Sequence, residues 1–209
     1  VDPGRASLLL VGSEARIHIP EGALYEPIFA HPERREAPQA DSGVVVLSPA
    51  YRFLSPDTPL RRPAAVTIRT RVPRPLQLHT VLAVRNRKGR LSHVGGSYAN
   101  GAVTATTYAT GDLAVVADTL APSIRPLFAE GADLSKAESL RFRAADNFSG
   151  IASWTLRIDG EWVPCDRFPM KGTLVHFFGT PPQGRKHEVR LSVRDGCGNT
   201  AHFKGIFYR

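Results

Sequence analysis

The sequence predicts an all-β protein built from two tandem β-sandwich modules. Short apolar runs alternate with polar residues at period two, and turn signals recur about every 8–12 residues. The 209 residues also include 18 Gly and 17 Pro but a single Met, a composition that suits strands and turns better than helices. At roughly 100–150 residues per domain the length allows one large domain or two small ones. A joint lies near 118–122, where the run ending at Val116 passes through Asp-Thr-x-Ala-Pro before a new run opens at Ile124. Pro122 and Pro126 stiffen it, because a residue before Pro prefers extended backbone. The modules are read as 1–117 and 118–209.

In the first module, runs 6–11 and 15–19 flank a Gly12-Ser13 turn, and Gly22 marks another. The polar, Pro-containing stretch 31–43 reads as a mobile loop. Runs at 44–47, 50–54, 64–70, 79–85, 90–95, 102–108 and 112–117 complete the strands. Two Pro-rich stretches, SPDTPLRRP and RVPRP, separate strands and resist helix formation.

The second module alternates cleanly, so its strands can be phased. After a short run near Ile124, residues 139–145 point Leu140, Phe142 and Ala144 inward, and 152–158 do the same with Trp154, Leu156 and Ile158. Asp159-Gly160 is a favoured two-residue hairpin turn, and 161–166 returns as one strand. The phase of 172–178 is ambiguous, 179–186 is a loop, 187–194 turns Val189, Leu191 and Val193 inward, and 200–208 closes the module. That is an immunoglobulin-like count of strands, with a Trp on the third where such sandwiches often bury one.

Hairpin parity brings the two Gly-rich turns, DNFSG at 146–150 and DGCGN at 195–199, to one end. Three readings of Asp146, Asn147, Asp195 and Asn199 compete. Asx turns, in which the side chains cap turn N–H groups and Gly supplies positive φ, account for every residue. A calcium site needs six or more oxygens, and these are four side chains. A catalytic carboxylate pair lacks a third group. The same parity puts Cys165 and Cys197 at that end, where they could form a disulfide in an oxidising compartment or stand as separate thiols.

Composition excludes several classes. No run of about 18 apolar residues is present, so no transmembrane segment is expected. No HxH, HExxH, CxxC, nucleophile elbow, phosphate loop or dinucleotide fingerprint occurs, so neither catalytic residues nor a cofactor is expected in this chain. The net charge of +8 rests on 22 Arg and 5 Lys spread over both modules. Strand phase turns Arg157, Arg190 and Arg194 to solvent on one sheet, joined by His202 and Lys204, a face for an anionic glycan or polymer. The 86–90 loop NRKGR is a second basic candidate that reads mainly as a hairpin turn. Nucleic acid is not expected, because aromatic residues do not interleave with these charges.

A family resemblance adds to this reading. RIHIPEGALY, then VVVLSPAYRFLSPDTPLRRPAAVTIRT, resembles the ZU-type β-sandwich domain of zona-occludens proteins, netrin receptors and ankyrins, through its IP-x-GAL turn, SP-x-Y-x-F strand and P-x-x-V-x-I run. The second half, with DN-x-SGI and D-x-x-GN turns, resembles bacterial immunoglobulin-like modules. The pair in this order resembles the C-terminal accessory region of Bacteroidetes envelope proteins, which often carry a lysostaphin-type zinc peptidase upstream. The resemblance implies an exported protein, periplasmic or at the cell surface, read as a piece of a longer chain whose signal peptide lies outside it. It further implies a non-catalytic module, with zinc confined to an upstream domain of the same polypeptide, in contact with peptidoglycan or another anionic envelope polymer. A surface adhesion or assembly protein with no enzyme attached is the alternative.

Overall fold

The computed structural model describes residues 1–86, 88–179 and 185–209. The central part of the 179–186 loop and Arg87 of the 86–90 turn therefore lie outside the described residues. The chain divides into two compact units, Val1–Thr119 and Leu120–Arg209.

The first unit comprises β1 (Ser7–Val11), β2 (Ala15–Ile19), β3 (Glu33–Arg35), β4 (Val44–Val46), β5 (Ala50–Arg52), β6 (Ala64–Arg69), β7 (Thr80–Arg85), β8 (Leu91–Gly95), β9 (Ser97–Ala99), β10 (Ala102–Thr107) and β11 (Asp112–Asp118). A 3₁₀ turn, Arg74–His79, precedes β7. One sheet runs β1-β2-β6-β10-β9 and the other β3-β5-β11-β7-β8, with β4 also pairing with β11. Their facing sides bury Ile17, Val66 and Val103 against Tyr51, Leu82, Leu113 and Val115. Alternation is plain on β2, where Ala15, Ile17 and Ile19 are buried and Arg16 and His18 exposed. It vanishes on β11, which is buried along its whole length.

Two boundaries differ from expectation. The stretch 31–43 is not loop throughout: Glu33–Arg35 forms β3 and pairs with Ala50–Arg52. Its three polar residues gave no apolar signal because they sit at a sheet edge. Asp118, assigned to the second module, belongs to the first, where it pairs with Val44 at the end of β11.

The second unit holds β12 (Ser123–Pro126), β13 (Ala132–Asp133), β14 (Ser139–Ala145), β15 (Ile151–Ile158), β16 (Glu161–Val163), β17 (Asp166–Phe168), β18 (Thr173–Phe177), β19 (Lys186–Asp195) and β20 (Thr200–Tyr208). The sheets run β12-β14-β18-β17 and β13-β20-β19-β15-β16, and they pack as a β-sandwich. Leu140, Phe142 and Leu174 from one sheet pack on Leu156, Val189, Leu191, Val193 and Phe207 from the other. Phe128 bridges them, edge-on to Phe142 at 5.6 Å and to Phe203 at 6.3 Å.

The stretch 161–166 is not one strand. Pro164 interrupts it: Glu161–Val163 pairs with β15, and Asp166–Phe168 crosses to the other sheet and pairs with β18. The ambiguous phase of 172–178 also has a cause, since adjacent Leu174 and Val175 are both buried. The first strand is split likewise, β12 antiparallel to β14 and β13 parallel to β20. The chain thus comes in level with Ala145 and leaves at the other end, beyond Tyr208.

Candidate functional site

The two Gly-rich turns meet at one end of the second sandwich. Gly196 N–H donates to Gly150 O at 3.0 Å, and a Cβ on Gly196 would stand 2.8 Å from Ser149 O. A side chain at 196 would therefore push the turns apart. Gly196→Ala should cost about 1–3 kcal/mol through this overpacking, read as a lower urea midpoint of the Trp fluorescence transition. Both Trp lie in this unit, so that signal reports on it alone. An unchanged midpoint would show that the turns separate freely.

Turn chemistry occupies most of the acidic groups. Asp146 Oδ2 accepts from Phe148 N at 3.0 Å and Gly150 N at 2.7 Å. Asp195, 2% exposed, accepts at Oδ1 from Cys197 N and Asn199 N, and at Oδ2 from Asn199 Nδ2. Asp146 Oδ1 is buried without a hydrogen-bond partner, and the two residues present carboxylate oxygens within 4.8 Å of each other. Asp146 and Asp195 are thus the pair that could hold a hard cation, supplying two of the six or more oxygens that calcium takes. The amide of Asn199 is already committed to Asp195.

The two cysteines are not joined by a disulfide. Cys197 is buried in the 195–199 turn. Cys165 instead lies at the crossover between sheets, next to Asp166, which pairs with Val175 partway down β18. The crossover that splits 161–166 is what carries it away from that end. Its thiol packs against the core, and burial pushes it up to about 11. Its carbonyl accepts the Trp154 indole N–H at 2.8 Å, which fixes Trp154 half-buried on the core edge under the Arg167 guanidinium.

Arg157, Arg190, Arg194, His202 and Lys204 lie on one exposed side of the sheet, together with an aromatic residue. Arg157 stands directly opposite Arg190, Arg190 opposite Lys204, and on the other side Arg157 opposite Trp162. Cross-strand partners share a face, so Trp162, Arg157, Arg190 and Lys204 form one row. Arg194, four residues along β19, lies on the same side, as does His202, bonded to Ser192 at 2.8 Å. Trp162 is 61% exposed. Lys204 and Arg190 flank Glu188 and hold its carboxyl below the usual range. Arg157 and Arg194 have no carboxylate in ion-pair range among the described residues; Arg157 Nη1 donates to Gly160 O at 2.8 Å.

In the first unit, the sequence motifs prove to be packing motifs. The IP-x-GAL turn buries Ala23 and Leu24 and gives Gly22 a φ of +73°. The SP-x-Y-x-F strand buries Tyr51 and Phe53, and its Ser48 Oγ accepts the Val115 N–H at 2.9 Å. The P-x-x-V-x-I run buries Val66 and Ile68 completely. The family model of the Zu5-like domain matches residues 9–118, rather more than half of the chain. The chain belongs to the Zu5-like domain family. No curated protein matches it.

The Zu5-like domain also holds a charged cluster that strand reading missed. Glu33, Arg52, Asp112 and Arg85 are successive cross-strand partners on β3, β5, β11 and β7. Asp112, 3% exposed, accepts from Arg52 Nε at 2.6 Å and from Arg85 Nε at 3.1 Å and Nη2. Arg35 reaches the same carboxylate at 3.9 Å while chelating Glu33. Burial raises the Asp112 carboxyl, but the Arg52 and Arg85 hydrogen bonds and charges outweigh it and hold it below the usual range. No alternation marks β11, so nothing in one dimension pointed to this residue. Among the described residues, no helix is long and apolar enough to cross a membrane.

Proposed function

We propose that the chain is a non-catalytic accessory region of an exported envelope protein, periplasmic or at the cell surface. The Zu5-like domain and the sandwich after it serve as spacer and binding modules. They position a peptidoglycan-hydrolysing zinc peptidase domain upstream in the same polypeptide, with no cofactor of their own.

The observation that carries this reading is the row Trp162–Arg157–Arg190–Lys204, extended by Arg194. A flat sheet face with several cations and an exposed indole suits an extended anionic polymer. The charges meet acidic groups, and the indole lies against sugar rings or N-acetyl groups. The spacer role rests on topology: parallel pairing of β13 with β20 sends the chain in at one end of the sandwich and out at the other. With nine residues in β20, that is a span of about 30 Å.

The test is retention of the 209-residue chain on purified sacculi carrying their anionic polymer. Replacing Arg157, Arg190 and Arg194 together by alanine should lower retention about tenfold or more, and wild-type retention should weaken with salt. Trp162→Ala should lower it while leaving the salt dependence intact. Equal retention of the triple variant sinks the binding face. Release of soluble fragments from peptidoglycan by this chain alone would overturn the non-catalytic reading.

A further inference from the structure

A second feature lies at the opposite end of the same sandwich, where the sheets part around a cavity of about 250 Å³. Its walls are apolar: Ile158, Val163, Phe178 and Phe207. The volume equals roughly eight waters at about 30 Å³ each, room for a ring with one small substituent. Four polar side chains line it, Asp159, His176, His187 and Arg209, and two of them are more than nine-tenths buried: His187 is 8% exposed and Arg209 7%.

Each of these two has a used side and an unused one. His187 Nδ1 meets Asp159 Oδ2 at 2.7 Å, and its ring stacks on Phe207 at 5.2 Å. That contact fixes the ring, and Nε2 is buried with no hydrogen-bond partner. Arg209 lies 3.9 Å over the Phe178 ring and donates from Nη1 to Ala137 O and from Nη2 to Gly179 O. Its Nε–H is buried without a partner, and no carboxylate lies in ion-pair range of it among the described residues. A buried cation without a counter-charge is costly, and two carbonyls and a ring offset it only in part. Asp159 does not supply the missing charge, since it is engaged by His187 and by the Glu188 N–H.

The geometry points to a binding site for a small organic carboxylate with an aromatic or cycloaliphatic body. The carboxylate supplies the anion that Arg209 lacks and bonds its Nε–H. It also engages Nε2 of His187, the ring nitrogen that the Asp159 contact leaves unused. The body fills the space against Phe178 and Phe207. The acid is recognised as a free small molecule rather than as part of the polymer assigned to the basic face, because the cavity holds only a ring's volume.

The probes are benzoate, its neutral isostere benzamide, and acetate, which has the charge without the body. Titration of the 209-residue chain followed by amide chemical shifts should give saturable changes around Phe178, His187 and Phe207 with benzoate. Benzamide and acetate should each bind about tenfold more weakly or worse. Arg209→Met should reduce benzoate to the benzamide level, and His187→Phe, which keeps a ring on Phe207, should weaken it as well. Should Arg209→Met fail to fold, the three-probe comparison on the unmodified chain decides alone. Equal binding of benzoate and benzamide overturns the proposal. So does the absence of saturable shifts at the cavity, or benzoate shifts confined to the Arg157–Arg190–Lys204 face. The Arg157/Arg190/Arg194 alanine variant should bind benzoate as the wild type does, so the cavity and the polymer-binding face fail or stand separately.

Discussion

Replacing Asp112 by alanine should destabilise the Zu5-like domain by about 3 kcal/mol, a large share of the 5–15 kcal/mol typical of a domain. The carboxylate lies between Arg52 and Arg85, with Arg35 close by. Removing it leaves three guanidinium groups facing one another on one sheet face. Breaking a buried pair costs roughly 3–5 kcal/mol in general. The lower end applies because the arginine side chains keep 27% to 38% exposure and water screens part of the repulsion. The readout is urea unfolding followed by far-UV circular dichroism, where a loss of this size moves the midpoint by about 1–3 M. Acid should reveal the same group. The folded carboxyl sits below its unfolded value of about 3.9, so its contribution is fully present above that pH and is lost as pH falls through the lower, folded value. The stability gap between wild type and Asp112→Asn should therefore be constant near neutrality and close below about pH 4. A gap that persists unchanged at low pH would show that Asp112 acts by packing alone.

Phe142→Ala should cost about 3–5 kcal/mol in the second sandwich. Phe142 is fully buried on β14 and stands edge-on to Phe128 at 5.6 Å and to Phe203 at 5.5 Å. Phe128 lies in the 127–131 connection between the two halves of the first strand, so the lost ring also loosens that connection. The aromatic pairs add about 0.5–1.5 kcal/mol each beyond area burial. Trp fluorescence reports the transition, since both Trp lie in this unit. A loss under about 1 kcal/mol would mean that the core repacks around the space. Phe142→Leu should recover most of the stability, because it restores volume but not the edge-on pairs.

Much of the fold was legible because one face of most strands is wet. On β14 and β19 the alternation of Leu140, Phe142 and Ala144, and of Val189, Leu191 and Val193, phases the sheet and so places the arginines outward. Hairpin parity then brings Asp146 and Asp195 to one end. What could not be read depends on contacts between distant segments. Strand β11 is covered on both sides, so Asp112 looked like the start of an ordinary apolar run. Arg52 and Arg85 reach it across 60 and 27 residues of chain. Trp162 joined the basic row only through its register with Arg157. The crossing of 161–166 between sheets turned on Pro164, and with it went the proximity of Cys165 to Cys197. The cavity under His187 draws on the end of β15, the stretch after β18, the start of β19 and the end of the chain, four places with no common motif.

The parallel pairing of β13 with β20 has a mechanical consequence. A pull on the second sandwich through Leu120 and Arg209 draws these two strands past each other along their length. The Gly131 N–H to Ile206 O and Leu134 N–H to Tyr208 O bonds are then strained together, and β12 slides along β14 at the same time. Bonds loaded side by side must rupture in concert, whereas a hairpin peeled from its end gives way one bond at a time. The sandwich therefore resists extension most strongly along the line of its own chain, the direction in which a tether held taut between two anchored points carries its tension.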